Sequence, residues 1–227
     1  SHMSAAMSAA MVKMGVYGIL LLTLRLLPDG PRWWSILLVA VGAGSALYGI
    51  LQASVQADLK KLLAYSTTEN VGLITTAVGV GLLLRDSGQS AVADVALVAA
   101  LLLAVSHAAF KSVLFLGAGS VLHATGTRDL DLLGGLAARM PWTSGAFGVG
   151  ALGAAALPVT SGFVAEWVLL QGLIHVDART DRLLAIVIPV TMGIVALTIG
   201  LGLLTFVKAY GIGFLARPRT SAAADAR

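Results

Sequence analysis

Long apolar runs, separated by short polar stretches, make up most of the sequence. Seven runs can be distinguished, over residues 3–27, 33–56, 62–84, 92–122, 142–157, 160–176 and 183–216. An α-helix needs about 20 mainly apolar residues to cross the hydrocarbon core of a membrane, and most of these runs reach that length. They lack the alternation of apolar and polar residues that marks the strands of a membrane barrel. The pattern therefore predicts an all-α membrane protein, a bundle of about six to seven transmembrane helices.

Two features of the runs predict departures from a straight single span. As a helix, the run 92–122 would be about 46 Å long, against a hydrocarbon core about 30 Å thick, so we expect it to be tilted, broken or protruding. The segment LPVTSG (157–162) contains a proline, which interrupts helical hydrogen bonding, and a glycine, which frees the backbone. We therefore expect one discontinuous helix, broken between Pro158 and Gly162, whose second half is capped by Thr160 or Ser161.

The polar stretches set the domain boundaries. The stretch 123–139 contains no run long enough to span, and PDGP (28–31) is a strong turn signal. We expect a single transmembrane domain over residues 1–216 and a short polar tail over residues 217–227. If all seven runs cross the membrane, the loops on each side hold equal numbers of lysine and arginine residues, which leaves the orientation undecided. One side holds Lys60, Lys61, Arg128, Arg139, Arg179 and Arg182, and the other holds Arg25, Arg32, Arg85, Arg217, Arg219 and Arg227.

The composition agrees with a membrane environment and excludes several kinds of site. Of the 227 residues, 58% are hydrophobic and 11% are charged, whereas soluble proteins carry roughly 25% charged residues. The sequence contains no cysteine, which excludes disulfides, iron–sulfur clusters and thiolate metal sites within the chain. The net charge of +4 is spread over the loops, without the clustered basic face that nucleic acid binding requires. We expect no cofactor, no metal and no nucleic acid, and the lipid bilayer as a partner.

Four ionisable residues lie inside the apolar runs, where a charge costs roughly 2.5–3.5 kcal/mol on insertion scales. They are Lys13, His107, Lys111 and Glu166. Lys13 is too deep to extend its amine to either surface, and the second run offers no carboxylate to pair with it. His107 and Lys111 are four residues apart, so they share one helix face, and histidine changes charge near neutral pH. Glu166 follows the predicted cap, near the positive end of a helix dipole, which favours a carboxylate.

These residues also have structural interpretations: an ion pair for Lys13, core packing for His107 and a helix-end charge for Glu166. We favour a proton relay, because a relay needs groups that can gain and lose a proton within the bundle. Weaker, accessory candidates are Lys60, Glu69 and Lys208. Glu69 belongs to the polar run YSTTEN (65–70), which we expect at the entrance of its helix. Lys208 is near enough to a helix end to reach the membrane boundary.

The stretch QADLKKLLAYSTTENVG (56–72) resembles the signature of a known family, the proton-translocating antiporter-like subunits. These subunits occur in respiratory complex I (NADH:quinone oxidoreductase), in Mrp-type cation/proton antiporters and in membrane-bound hydrogenases. SAAMVKMGVYG (8–18), HAAFKSVLFL (107–116) and LPVTSGFVAEW (157–167) resemble the lysine-bearing helix, the histidine–lysine helix and the broken helix of that family. Residues 118–129 and 206–211 are similar to the branch found in hydrogenase-4 and formate hydrogenlyase.

The resemblance implies a role for each candidate. Lys13 is similar to the central lysine of the family, His107 and Lys111 to the middle of its hydrophilic axis, and Glu166 to the group at the end of that axis. Lys60 matches a cytoplasmic position with an orienting role. The implied function is proton translocation in the membrane arm of a redox-driven complex of the bacterial cytoplasmic membrane, with the redox chemistry of the oxidoreductase in other subunits. The alternatives are an Mrp-type sodium/proton antiporter subunit and an inert scaffold.

Members of the family contain two inverted repeats of helices, and this sequence resembles only the second repeat with its neighbours. We therefore expect a fragment of a longer subunit. Its missing N-terminal half would carry the glutamate that pairs with Lys13 in the family. That half, together with other membrane subunits of a hydrogenase or complex I-like assembly, is the protein partner that the resemblance implies.

Overall fold

A computed structural model of the chain describes residues 2–28, 30–179, 181–215 and 217–226. Within these residues the chain is almost entirely helical, and its only β-type pairing is an isolated bridge between Asp58 and Asp129. Five helices are long and apolar enough to cross a membrane, namely His2–Leu26, Trp33–Val55, Leu59–Asp86, Ser90–Thr125 and Arg182–Leu215. The predicted all-α membrane fold is confirmed. Asp29, in the predicted turn, and the ends of the two predicted domains at residues 1, 216 and 227 lie outside the described residues.

The first span, His2–Leu26, consists of α1 (His2–Ala6) and α2 (Val12–Leu21), with π-helical turns over Met7–Met11 and Leu22–Leu26. The other helices follow in chain order as α3 (Trp33–Val55), α4 (Leu59–Asp86), α5 (Ser90–Thr125), α6 (Leu136–Arg139), α7 (Pro141–Ala154), α8 (Ser161–Ile174), α9 (Arg182–Tyr210) and α10 (Ser221–Ala224). A π-helical turn over Gly211–Leu215 extends α9. Helix α5 is continuous, so of the three expectations for the run 92–122 the break is wrong.

Helices α7 and α8 are two halves of one crossing. Both pack along α5, in antiparallel order: a Cβ on Gly150 would lie 3.0 Å from the side chain of Leu114, whereas Gly172 lies beside Ala96. The interruption between the two half-helices lies between the levels of Leu114 and Ala96 on α5. Each half has 14 residues, or about 21 Å of helix, too short to cross a core about 30 Å thick. The predicted discontinuous helix is confirmed, and the fifth and sixth apolar runs make one crossing rather than two.

This single crossing corrects the predicted sides of four arginines. We call the two ends of the bundle the Asp58 boundary, where α4 begins, and the Asp181 boundary, where α9 begins. After α9, the Arg219 guanidinium donates to the Leu130 carbonyl at 3.0 Å, which returns the chain to the Asp58 boundary. The Asp58 boundary therefore holds Lys60, Lys61, Arg128, Arg139, Arg217 and Arg219, and the Asp181 boundary holds Arg25, Arg32, Arg85, Arg179 and Arg182. The sides predicted for Arg179, Arg182, Arg217 and Arg219 were wrong, and Arg227 lies outside the described residues.

Helix α4 is the centre of the bundle, and most of its residues are buried. Small residues bring α3 against it: a Cβ on Gly42 would lie 2.6 Å from the Thr76 nitrogen, and one on Gly49 would lie 2.5 Å from the Glu69 nitrogen. Close backbone approach through small residues is the usual means of packing helices in lipid. The polar face of α4 is thereby held at a fixed position inside the bundle.

Candidate functional site

Lys13 extends from the first span into the bundle. Its Nζ contacts the carbonyl oxygen of Ser8, five residues earlier, and Nδ1 of His107 on α5. Ser8 is the second residue of the π-helical turn Met7–Met11, and such turns are frequent at functional sites. The Ser8 hydroxyl also lies 2.6 Å from the Thr67 hydroxyl of α4. The first span is therefore joined to both α4 and α5 by polar contacts around Lys13.

His107 is fully buried on α5. If the Lys13 amine is protonated, it donates to Nδ1, so the histidine proton sits on Nε2. Nε2 is buried and has no hydrogen-bond partner among the described residues. The Phe110 ring packs edge-on against the imidazole, with 5.4 Å between the ring centroids. His107 thus has one nitrogen engaged by Lys13 and one available for a further hydrogen bond.

Lys111 lies one turn after His107 and is also fully buried. Its Nζ donates to the Leu63 carbonyl at 3.2 Å and contacts the hydroxyl of Ser66, both on α4. The amine lies 5.4 Å from the centre of the Phe206 ring of α9, in cation–π contact. None of the ion pairs in the described part of the chain includes Lys111. The amine is therefore held by neutral oxygen atoms and an aromatic face.

Glu69 lies at the centre of the bundle, which corrects the prediction that it lines a helix entrance. Helix α4 begins at Leu59, earlier than the apolar run, so Glu69 falls nearly three turns inside it. The carboxylate is buried and accepts a hydrogen bond of 2.8 Å from the Asn70 amide. Helix α9 passes close by at Gly202, where an added Cβ would lie 3.8 Å from Glu69 Oε1, in ordinary van der Waals contact.

The break between α7 and α8 positions Glu166. Ala156 and Val159 adopt left-handed backbone conformations, with φ of 48° and 76°, which turn the chain around Pro158. The Thr160 hydroxyl accepts a hydrogen bond from the Phe163 nitrogen at 3.4 Å, so Thr160, of the two predicted caps, is the N-cap of α8. Gly162 is required next, because a Cβ there would lie 2.0 Å from the Gly153 carbonyl oxygen.

The Glu166 side chain itself is buried inside the bundle, with only 7% of its surface exposed. Its Oε2 has no hydrogen-bond partner within the described residues. The hydroxyl of Thr198 on α9 is likewise buried without a partner in that part of the chain. Buried polar atoms are nearly always hydrogen-bonded to protein or water, so a bound water is the partner expected for each of these atoms.

The accessory candidates divide into one central and two peripheral residues. Lys60 is partly exposed beside Asp58, at the Asp58 boundary. Lys208 donates to the carbonyls of Ser54 at 2.7 Å and Gln56 at 2.9 Å, so its amine caps the C-terminal end of α3. Glu69, in contrast, lies among the four main candidates. We call Lys13, His107, Lys111, Glu69 and Glu166 the buried axis.

The buried axis consists of three basic groups, Lys13, His107 and Lys111, followed by two acidic groups, Glu69 and Glu166, on four helices. Lys13 and His107 are in direct contact, and Lys111 follows on the same face of α5. Every member of the axis can gain or lose a proton, and no member is fixed in a close ion pair among the described residues. Such an arrangement is suited to moving protons rather than to holding a permanent charge pair.

Comparisons with known proteins agree with this arrangement. The chain is 59% identical to an uncharacterised protein of Mycobacterium tuberculosis, with 100% of this chain and 36% of the relative covered. It is 43% identical to hydrogenase-4 component B of Escherichia coli, with 100% and 34% covered. It is 40% identical to formate hydrogenlyase subunit 3 of the same species, with 98% and 36% covered. The chain thus spans about a third of the length of these relatives.

Solved structures show the same fold. The membrane-bound sulfane sulfur reductase, an archaeal respiratory membrane complex, contains a chain that matches with a TM-score of 0.80 at 25% identity, covering 99% of this chain and 35% of that one. The Mrp complex from Dietzia matches with a TM-score of 0.69 at 26% identity, covering 84% and 32%. Residues 1–193 match the family model described as NADH:quinone oxidoreductase/Mrp antiporter, TM. The chain is therefore an integral membrane protein that belongs to the NADH:quinone oxidoreductase/Mrp antiporter transmembrane family.

Proposed function

We propose that this chain carries protons in the membrane arm of a redox-driven complex of the hydrogenase-4, formate hydrogenlyase or complex I type, in a bacterial cytoplasmic membrane. The observation that carries the proposal is the contact between Lys13 and His107, with Lys111 one turn away on the same helix. Ionisable residues buried in membrane spans contact one another or backbone carbonyls, and they mark proton and ion pathways. The redox chemistry belongs to other subunits.

The proton path follows the order of groups along the buried axis. A proton on Lys13 Nζ passes to Nδ1 of His107, and the proton on Nε2 is released toward Lys111. The Ser66 hydroxyl, in contact with Lys111, lies one turn before Glu69 on α4. From Glu69 the path continues to Glu166, where the unpartnered Oε2 receives the proton. Steps longer than a hydrogen bond pass through water.

The missing part of the subunit is proposed to supply the partner of Lys13. Lys13 is only partly buried here, and Met14 and Tyr17 on the same helix are exposed. A charge at this depth needs a partner or water. A carboxylate from a preceding helix would complete the axis at this end, and the other membrane subunits of the complex would cover part of the remaining surface.

The test is proton translocation by the complete complex in vesicles, with Lys111→Met compared with Lys208→Met. Both changes remove an amine, but only Lys111 belongs to the buried axis. We expect Lys111→Met to lower the proton flux at least about tenfold while the subunit remains assembled. Lys208→Met should leave the flux close to wild type. Equal flux for the two variants, in assembled complexes, would contradict the proposal.

An Mrp-type sodium/proton antiporter is the second candidate, supported by the fold match over 84% of the chain. The hydrogenase-4 likeness is stronger, since it reaches 43% identity over the whole chain. The same vesicles separate the two functions. A proton flux that starts on addition of the electron donor supports the redox-driven complex, and one that follows a sodium gradient without a donor supports the antiporter.

A further inference from the structure

A cavity of about 920 Å³ lies at the Asp58 boundary, between the end of α5 and the start of α7. Its wall includes Leu116, Ser120 and His123 of α5, and Arg139 and Trp142 from the start of the broken crossing. None of its residues belongs to the buried axis. Its volume is in the range of roughly 300–1,000 Å³ that is usual for small-molecule sites.

The cavity is basic. His123 and Arg139 are exposed, and none of the residues that line the cavity is acidic. Arg139 takes part in none of the ion pairs of the described residues. Helix α7, with Pro141 at its first position, directs its N-terminus and the positive end of its dipole to the same place. The occupant that fits this charge is an anion.

The mouth of the cavity is lined by exposed apolar side chains. Trp142 is 91% exposed and Leu116 is 43% exposed. Exposed tryptophan is typical of the level at which lipid headgroups meet the hydrocarbon core. An occupant must therefore present an anionic group to Arg139 and an apolar part to Leu116 and Trp142.

We propose that this cavity binds the phosphodiester headgroup of an anionic phospholipid, with its acyl chains along Leu116 and Trp142. The Arg139 guanidinium can bind two phosphate oxygens at once, which an amine cannot do. Ser120 and His123 offer further hydrogen bonds from α5. Basic pockets between membrane helices are known to hold such headgroups. The site would join the end of α5 to the start of the broken crossing.

The test uses the complete protein purified from its native membrane, stripped of lipid in detergent and then given phosphatidylglycerol, phosphatidylcholine with the same acyl chains, or inorganic phosphate. Native mass spectrometry counts the lipid retained, and thermal unfolding gives the change in Tm. We expect phosphatidylglycerol alone to be retained and to raise the Tm by about 3 °C. Arg139→Gln should weaken its retention about tenfold, and Arg139→Lys should recover part of it. Arg25→Gln, an exposed arginine at the opposite boundary, should have no effect.

Four results would overturn the proposal. Equal retention of phosphatidylcholine would show that the headgroup charge is not recognised. Stabilisation by inorganic phosphate to the same extent would assign the site to a soluble anion. Unchanged phosphatidylglycerol binding in Arg139→Gln would show that Arg139 does not hold the headgroup. If the wild-type protein binds no lipid because another protein segment fills the cavity, the cavity is not a lipid site.

Discussion

Lys13 of the first span is in hydrogen-bonding contact with Nδ1 of His107 on α5, 94 residues later in the chain. The contact lies near mid-depth in the bundle and joins two helices that carry no close ion pair to one another in the described residues. It is the one direct link between two titratable side chains of the buried axis. Substitutions of His107 should therefore separate the contribution of this contact to stability from its contribution to proton transfer.

His107→Gln and His107→Phe test that separation. Glutamine retains an acceptor for Lys13 but cannot carry a proton through its side chain, whereas phenylalanine leaves the amine with Ser8 alone. We expect His107→Phe to lower the free energy of unfolding by about 1–3 kcal/mol and His107→Gln to lower it less. Both variants should lose proton flux in vesicles. A glutamine variant with wild-type flux would limit His107 to a packing role.

Glu69→Gln should reduce proton translocation more than it reduces stability. Glutamine still accepts the hydrogen bond from Asn70, so the local structure should persist. The matched control is Asp94→Asn, because Asp94 forms an exposed ion pair with Arg85 at the Asp181 boundary. We expect flux to fall at least about tenfold in the first variant and to stay unchanged in the second. Flux and thermal unfolding, measured on the same preparations, decide the outcome.

Gly162→Ala and Gly193→Ala test how the broken helix is built. A Cβ on Gly162 would meet the Gly153 carbonyl oxygen at 2.0 Å, and neither backbone segment can move without shifting the break. A Cβ on Gly193 would meet no atom within 4 Å. We expect the first variant to be destabilised by more than about 1 kcal/mol and the second to be stabilised by up to about 1 kcal/mol. Thermal unfolding of both gives the comparison, and equal Tm values would be inconsistent with the packing at the break.

The ion pair between Asp181 and Arg32 predicts a pH dependence at the Asp181 boundary. The hydrogen bond from Arg32 lowers the pKa of the Asp181 carboxyl below its usual value of 3.8. Because the folded pKa is the lower one, the stabilisation is complete above the unfolded pKa and is lost as the pH falls through the folded pKa. We expect the Tm of Asp181→Asn to fall less than that of the wild type between about pH 4 and 2, because the variant has no carboxyl to protonate. Above that range the two curves of Tm against pH should run parallel. Identical acid profiles would show that the pair does not contribute.

The sequence predicts the main members of the buried axis because a lysine, histidine or glutamate inside an apolar run is conspicuous. The polar neighbours of Glu69 in YSTTEN (65–70) predict a helix entrance there, although the helix begins earlier, at Leu59. The loop sides were wrong for a similar reason: two apolar runs were counted as two crossings. The signal was present in the length of the two runs, since residues 142–157 and 160–176 are only 16 and 17 residues long, short of the about 20 that a span needs. The contact between Lys13 and His107 depends on how the helices pack, which local patterns do not determine.

The most direct test of proton transfer through the buried axis is the proton flux of the complete complex carrying Glu166→Gln, in reconstituted vesicles. Glutamine retains the size and a hydrogen-bonding group of Glu166 but cannot take up the proton at the end of the path. Glu166→Lys, which restores a titratable group, is the companion variant and should recover part of the flux. We predict that Glu166→Gln assembles normally and loses at least about tenfold of the flux. A glutamine variant that pumps at the wild-type rate would contradict proton transfer through Glu166.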